Sequence, residues 1–261
     1  MIEKNGYSLV CHIIEDGQTI DTDIIRDIAA DNIGALIWSK SMEMNDMEKP
    51  DFLKNAMRNL SIPVITMEKY GFDCPGVDIL FDYEKGGYMA TRHLIECGHR
   101  RIGCVAGKQS FHVTMQRLNG YKKALEESGI SYDPDLVYFG DYTMESGYEA
   151  FSYILGQKVT AIFSMNDEMA FGIYRAARLY GVSIPEDISI IGFDNVPFAD
   201  VMQVPLTTIG VPVIEMGKKL GEKVVELIDN KEKLKEREEI LYTPRLLVRG
   251  STKSIPPVTV I

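Results

Sequence analysis

Residues 159–192, VTAIFSMNDEMAFGIYRAARLYGVSIPEDISIIG, decide the fold. Residues 159–163 form a short β-rich run. Residues 167–180 read as a helix stopped by Gly181, and residues 188–192 form a second β-rich run. A strand, a helix and a strand in succession make two parallel strands with a crossover, and such sheets are covered by helices on both faces.

The alternation continues outward in both directions. On the N-terminal side, strands are expected at 7–13, 35–38, 63–67, 77–81, 101–106 and 136–139. Helices are expected at 21–31, 47–59, 84–97 (closed by Gly98) and 116–128 (ended by Gly129), with another after Thr143, which caps it. On the C-terminal side a long helix is expected at 213–230 and a last strand at 241–248. These are too many strands for one small sheet in 261 residues. The sequence therefore predicts an α/β protein of two doubly wound, parallel-sheet lobes. The charge run at 230–239 reads as a solvated loop or helix end.

Hydrophobic residues make up 45% of the chain and charged residues 25%, which indicates a folded globular protein. The formal net charge of −10 repels phosphate backbones, so direct nucleic-acid binding by this chain is not expected. Cys11, Cys74, Cys97 and Cys104 form no C-x-x-C pair and fit a reducing cytosol. No secretory signal opens the sequence, and no apolar run has the length of a membrane span. A cytoplasmic protein with no membrane contact is expected.

Ligands of open parallel sheets bind beyond the carboxyl ends of the strands. Polar residues cluster there. Ser164, Met165, Asn166 and Asp167 follow one strand, and Phe193, Asp194 and Asn195 follow another. A polar loop running to His112, then Arg117, follows a third, and Asp82 follows a fourth. Guanidinium, amide and carboxylate groups can hydrogen-bond vicinal hydroxyls from several directions. Each residue also has a plainer reading. Asp167 reads as the N-cap of its helix, Asn166 could shape a turn, and Asp194 with Asn195 could form an Asx-turn. Arg117 could serve as a surface ion-pair partner.

Enzyme signatures do not match. There is no G-x-S-x-G or H-E-x-x-H. Residues 103–109, GCVAGKQ, approach a phosphate loop but miss its glycine spacing by one residue and put Gln109 where a hydroxyl belongs. His12, His93, His99 and His112 lack zinc-ligand spacing with the cysteines, and His93 and His99 read as structural. No catalytic residue, metal or cofactor is expected.

Several segments, in order, resemble the LacI/GalR family of transcription regulators. They are EKGGYMA at 84–90 running into HLIECGHRRI at 93–102, RLNGY at 117–121, TAIFSMND at 160–167, IPEDISIIGFDN at 184–195, PLTTI at 205–209 and LVRGST at 247–252. The resemblance covers nearly the whole chain. It implies a periplasmic-binding-protein-like fold with a ligand cleft between two lobes, here residues 1–81 plus 210–240 and residues 82–209 plus 241–261. By motif match Arg117, Asn166 and Asp194 would hold a small-molecule effector, a sugar or related metabolite. Phe81 and Tyr142 would supply aromatic contacts, and Glu68 a carboxylate at the end of a first-lobe strand. Homodimers are the family's usual state, and effector binding would shift the lobes and change operator affinity through a DNA-binding headpiece. The sequence shows no counterpart of that headpiece or of the family's first strand, so operator DNA is an expected partner only of a longer protein. A stand-alone sugar-binding protein of a transport system is the alternative.

Overall fold

The structure, a computed structural model, describes residues 2–11, 33–39, 50–60, 62–230 and 237–256. The helix expected at 21–31, the first residues of the helix expected at 47–59, His12 and the middle of the charge run lie outside them. The chain divides into two compact units. Met1–Phe81 with Pro212–Tyr242 forms one, and Asp82–Val211 with Thr243–Ile261 forms the other.

The first unit holds a four-stranded parallel sheet in the order β1 (Leu36–Trp38), β2 (Val64–Thr66), β3 (Gly76–Phe81) and β9 (Arg237–Tyr242). Helices α1 (Pro50–Arg58) and α7 (Val213–Asp229) belong to it. Its core joins Trp38, Met57, Val64, Phe72 and Cys74. Tyr70 stacks on Phe72 at 5.2 Å and meets Trp38 edge-on at 6.4 Å.

The charge run is not all solvated. Arg237 opens β9, and its side chain is nearly buried. Its Nε donates to Asp78 Oδ2 at 2.9 Å, Nη2 donates to Asp78 Oδ1, and Nη1 donates to the Cys74 carbonyl at 3.2 Å. Asp78 is buried on β3, so the pair forms a bidentate ion bridge between adjacent strands.

The strand expected at 7–13 does not form over residues 7–11. No strand pairs with this segment among the described residues, and Leu9 and Val10 stay exposed. Without a ladder partner an alternating apolar pattern has no sheet face to occupy.

The second unit holds a six-stranded sheet in the order β10 (Arg245–Leu247), β8 (Thr207–Gly210), β7 (Ser189–Asp194), β6 (Ala161–Ser164), β4 (Ile102–Ala106) and β5 (Val137–Phe139). All neighbours run parallel except β10 against β8. Every residue of β4, β6 and β8 is buried, as strands covered on both faces require. The helices are α2 (Tyr83–Glu96), α3 (His112–Glu127), α4 (Met144–Gly156), α5 (Asp167–Tyr180) and the single turn α6 (Phe198–Val201). Helices α2 and α3 meet backbone to backbone. A Cβ on Gly120 would lie 2.0 Å from the Glu84 carbonyl oxygen, and one on Gly87 would lie 2.2 Å from that of Arg117.

Beyond shifts of one or two residues at other element ends, three more differences from the sequence reading stand out. Helix α3 starts at His112, a turn before residue 116, because the Phe111 carbonyl accepts the first bonds (from Thr114 at 3.1 Å and Met115 at 3.3 Å) with no capping side chain to mark it. The single strand expected at 241–248 is two strands in different sheets, β9 and β10, separated at Thr243 and Pro244. Proline cannot donate to a ladder. Strand β8 begins within PLTTI and ends at Gly210, in a stretch where the sequence predicts no strand.

The histidines of HLIECGHRRI are built into the structure. His99 is buried, with Nδ1 2.9 Å from Thr160 Oγ1 and Nε2 3.0 Å from Ser189 Oγ. His93 Nε2 lies 2.9 Å from Thr252 Oγ1. Ser251, fully buried, ties the C-terminal tail in: its hydroxyl donates to the Ile190 carbonyl at 2.6 Å and accepts from the Thr207 N–H at 2.8 Å.

Candidate ligand-binding site

In the second unit, polar groups converge where β4, β6 and β7 end. Arg117, in the second turn of α3, is the anchor. It is 6% exposed, which corrects the surface reading. Its Nη1 donates to the Met165 carbonyl, in the loop after β6. Its guanidinium lies 4.1 Å from the centroid of Phe193, 4.9 Å from Tyr83 and 5.7 Å from Tyr142, a cation held among three aromatic rings. Among the described residues its Nε is a buried donor with no hydrogen-bond partner.

Asp194 ends β7 and faces Arg117, with Oδ1 3.6 Å from Nη2. That separation exceeds hydrogen-bond length, so each group keeps bonding capacity toward a third molecule. Burial pushes the Asp194 carboxyl up to about 6, and the Arg117 charge acts against that rise. Asp194 (φ 108°) and Asn195 (φ 59°) both occupy the left-handed region. The Asn195 Oδ1 accepts from Arg249 Nη2 at 2.7 Å.

Asn166 is the N-cap of α5. Its Oδ1 accepts from the Met169 N–H at 2.9 Å, and its Nδ2 donates to the Tyr142 carbonyl at 2.9 Å. The cap expected of Asp167 therefore falls to Asn166, and one amide N–H of Asn166 remains beyond these two bonds. Asp167 is the first helical residue, fully buried, and accepts from Thr208 Oγ1 at 2.6 Å and the Val196 N–H at 2.9 Å. Burial pushes its carboxyl up to about 7 against those two bonds.

Tyr142 has φ 72°, and its hydroxyl lies 2.6 Å from Thr114 Oγ1. Its ring stacks with Phe111 at 6.3 Å. Asp82 is the N-cap of α2, accepting from the Lys85 N–H at 2.9 Å.

The structure thus brings Arg117, Asn166, Asp194 and Tyr142 together in one unit. Phe81, buried at the end of β3, and half-buried Glu68, just past β2, belong to the first unit. The sequence gives no contact role to Tyr83, Phe193 or Phe111. Phe193 stands at a strand end beside Asp194 and Tyr83 beside Asp82, but an apolar ring there carries no hydrogen-bonding signal of its own. No group of three or more His, Cys, Asp or Glu among the described residues could hold a metal ion.

Residues 91–252 match the family model described as a periplasmic binding protein-like domain. The HTH-type transcriptional repressor PurR of Photobacterium profundum is 34% identical over 253 residues, 96% of this chain and 73% of that protein. The HTH-type transcriptional regulator DegA of Bacillus subtilis is 36% identical over 254 residues, 97% of this chain and 74% of that protein. A LacI family transcriptional regulator from Enterococcus faecium, solved with bound ribose, superposes with a TM-score of 0.75 at 30% identity, covering 90% of this chain and 86% of that one. The chain belongs to the LacI family of transcriptional regulators. It carries the effector-binding, periplasmic-binding-protein-like part of a LacI-family protein, with the α/β fold of parallel sheets expected for it. Its relatives in the LacI family are regulators, not enzymes, and that also favours the regulator over the transport-protein alternative. No helix among the described residues is long and apolar enough to cross a membrane.

Proposed function

We propose that the second unit binds a small neutral sugar or sugar-like metabolite through Arg117, Asp194, Asn166 and Tyr142. The observation that carries the reading is Arg117: a buried guanidinium whose Nε has no hydrogen-bond partner among the described residues, set 3.6 Å from a carboxylate. One group donates and the other accepts, so neighbouring hydroxyls can satisfy both. The charges of Arg117 and Asp194 cancel, which suits an uncharged ligand. The rings around them offer flat apolar faces of the kind that pack on a sugar's C–H face. The ribose bound to the Enterococcus faecium regulator supports this chemistry.

The two units are the two lobes of the sensor, and the working protein is a cytoplasmic homodimer. Its effector favours one conformational state and so alters operator affinity through a DNA-binding headpiece. The names of the helix-turn-helix relatives support that last step.

The test is a thermal-shift screen of the chain with D-ribose first, then other neutral sugars, sugar phosphates and nucleosides, followed by calorimetric titration. Arg117→Ala and Asp194→Ala should each weaken the best binder by about 2 kcal/mol, the scale of a hydrogen bond to a charged group. Unchanged affinity in both variants, with a cooperative melt retained, would overturn the site.

A further inference from the structure

Asp167 is not needed as the helix cap, since Asn166 fills that position. Yet it is a fully buried carboxylate, which is costly unless its bonds are made. One of those bonds runs to the loop that presents Asp194, and the other to the neighbouring strand β8. The Val196 N–H donates to Oδ2 at 2.9 Å, and the Thr208 hydroxyl on β8 donates to Oδ1 at 2.6 Å. The chain is cut back to make room for this grip. A Cβ on Gly192 of β7 would lie 2.2 Å from Asp167 Oδ1, so only glycine lets the carboxylate through to β8.

The loop itself is strained. Two successive non-glycine residues, Asp194 and Asn195, have φ of 108° and 59°. Such conformations persist only where surroundings over-determine them. Arg249 holds Asn195 by its side chain at 2.7 Å, the Val211 N–H donates to the Asp194 carbonyl at 3.3 Å, and Asp167 holds the backbone at Val196 from below. Released there, residues 194–196 can relax toward ordinary backbone angles and carry the Asp194 carboxylate off Arg117.

We infer that Asp167 is a positioning residue for ligand binding, holding the strained loop so that Asp194 faces Arg117; this rests on the reading of Asp194 as a ligand contact. It touches no ligand and acts through the loop. Thr208 and Gly192 are parts of the same device.

The experiment combines two readouts on the full chain carrying Asp167→Ala, Asp167→Asn or Thr208→Val. The first is amide hydrogen exchange at Val196 without ligand, with interior α5 amides as control. The second is titration with D-ribose or the best binder of the screen. Asp167→Ala should lower Val196 protection and ligand affinity by about tenfold each, the equivalent of one hydrogen bond, with α5 unchanged. Asp167→Asn should restore much of both, because its amide oxygen can take the Oδ2 place and accept from the Val196 N–H while its Nδ2 donates to Thr208 Oγ1. Thr208→Val, close in shape, should show a smaller loss of both and stands in if Asp167→Ala does not fold. Unchanged Val196 protection in both Asp167→Ala and Thr208→Val would overturn the inference, as would lost protection with full affinity. Arg117→Ala and Asp194→Ala separate the two ideas. If both leave affinity unchanged, or if no probe binds the wild type, the ligand site is wrong, and Val196 exchange alone then decides whether Asp167 holds the loop.

Discussion

At the scale of single residues, two carboxylates carry a pH signature. Burial raises Asp167 to about 7 and Asp194 to about 6, against roughly 3.9 for an unfolded aspartate. Between those values the folded state holds protons that the unfolded chain has released, so stability falls as pH rises. This contribution is complete below about pH 4 and is lost as pH climbs through 6 and 7. His93, His99 and His112 are shifted down by burial and so act in the opposite sense, gaining stability as pH rises toward 6.5. The ionisable groups coupled to Asp167 are Asp194 and Tyr174. The difference between wild type and Asp167→Asn therefore reports the Asp167 carboxyl together with its coupling to Asp194. The variant's melting temperature should fall less steeply between pH 4 and 7, read by calorimetry across that range. Parallel curves would mean Asp167 titrates normally. Asp167 was legible in the sequence only as a candidate cap by its place in the chain. Its real partners, Val196 and Thr208, are 29 and 41 residues away.

At the scale of elements, close approach and strand-to-strand charge pairing matter most. Gly120→Ala places a methyl 2.0 Å from the Glu84 carbonyl, where the obstacle is backbone and cannot swing aside. Overpacking of about 1–3 kcal/mol then outweighs the ~1 kcal/mol gained in helix propensity. The melting temperature should drop by several degrees. Gly217→Ala in α7, with open space around it, should instead hold or slightly raise the melting temperature. Equal shifts in the two variants would refute the backbone-contact account. Arg237→Ala should cost about 3–5 kcal/mol in denaturant unfolding, since it leaves the buried Asp78 carboxylate unpaired between strands. A loss below about 1 kcal/mol would show the bridge to be a surface-type pair. Neither contact is visible in local sequence pattern. Arg237 sits in a run of charges that reads as solvent-facing, and its partner is 159 residues upstream.

At the scale of the whole molecule, two units are joined by three passages of chain, at Phe81–Asp82, Val211–Pro212 and Tyr242–Thr243. A ligand that binds only the folded state stabilises it by about 2.7 kcal/mol at a hundredfold excess over Kd. For a chain of this size that is a rise of roughly 5–10 °C in the melting temperature. The rise should grow with the logarithm of ligand concentration and vanish in Arg117→Ala. A saturable shift that survives in that variant would place the ligand elsewhere.

The sequence alone determined the α/β alternation, the two parallel sheets and the kinship. These follow from local periodicity, from glycine stops such as Gly98, Gly129 and Gly181, and from ordered motifs, each readable within a few residues of chain. It also placed Asn166 and Asp194 at strand ends and Arg117 just beyond the loop that follows one, because parallel topology sends every such end to one edge. Only the tertiary structure decided which of these side chains are already spent. Asn166 caps and clasps, Arg117 is seated among Phe193, Tyr83 and Tyr142, Asp167 holds a strained loop, and residues 241–248 are divided between two sheets. Each of these outcomes depends on hydrogen bonds, ring contacts or steric clearance between residues distant in the chain, and no local pattern encodes such pairings.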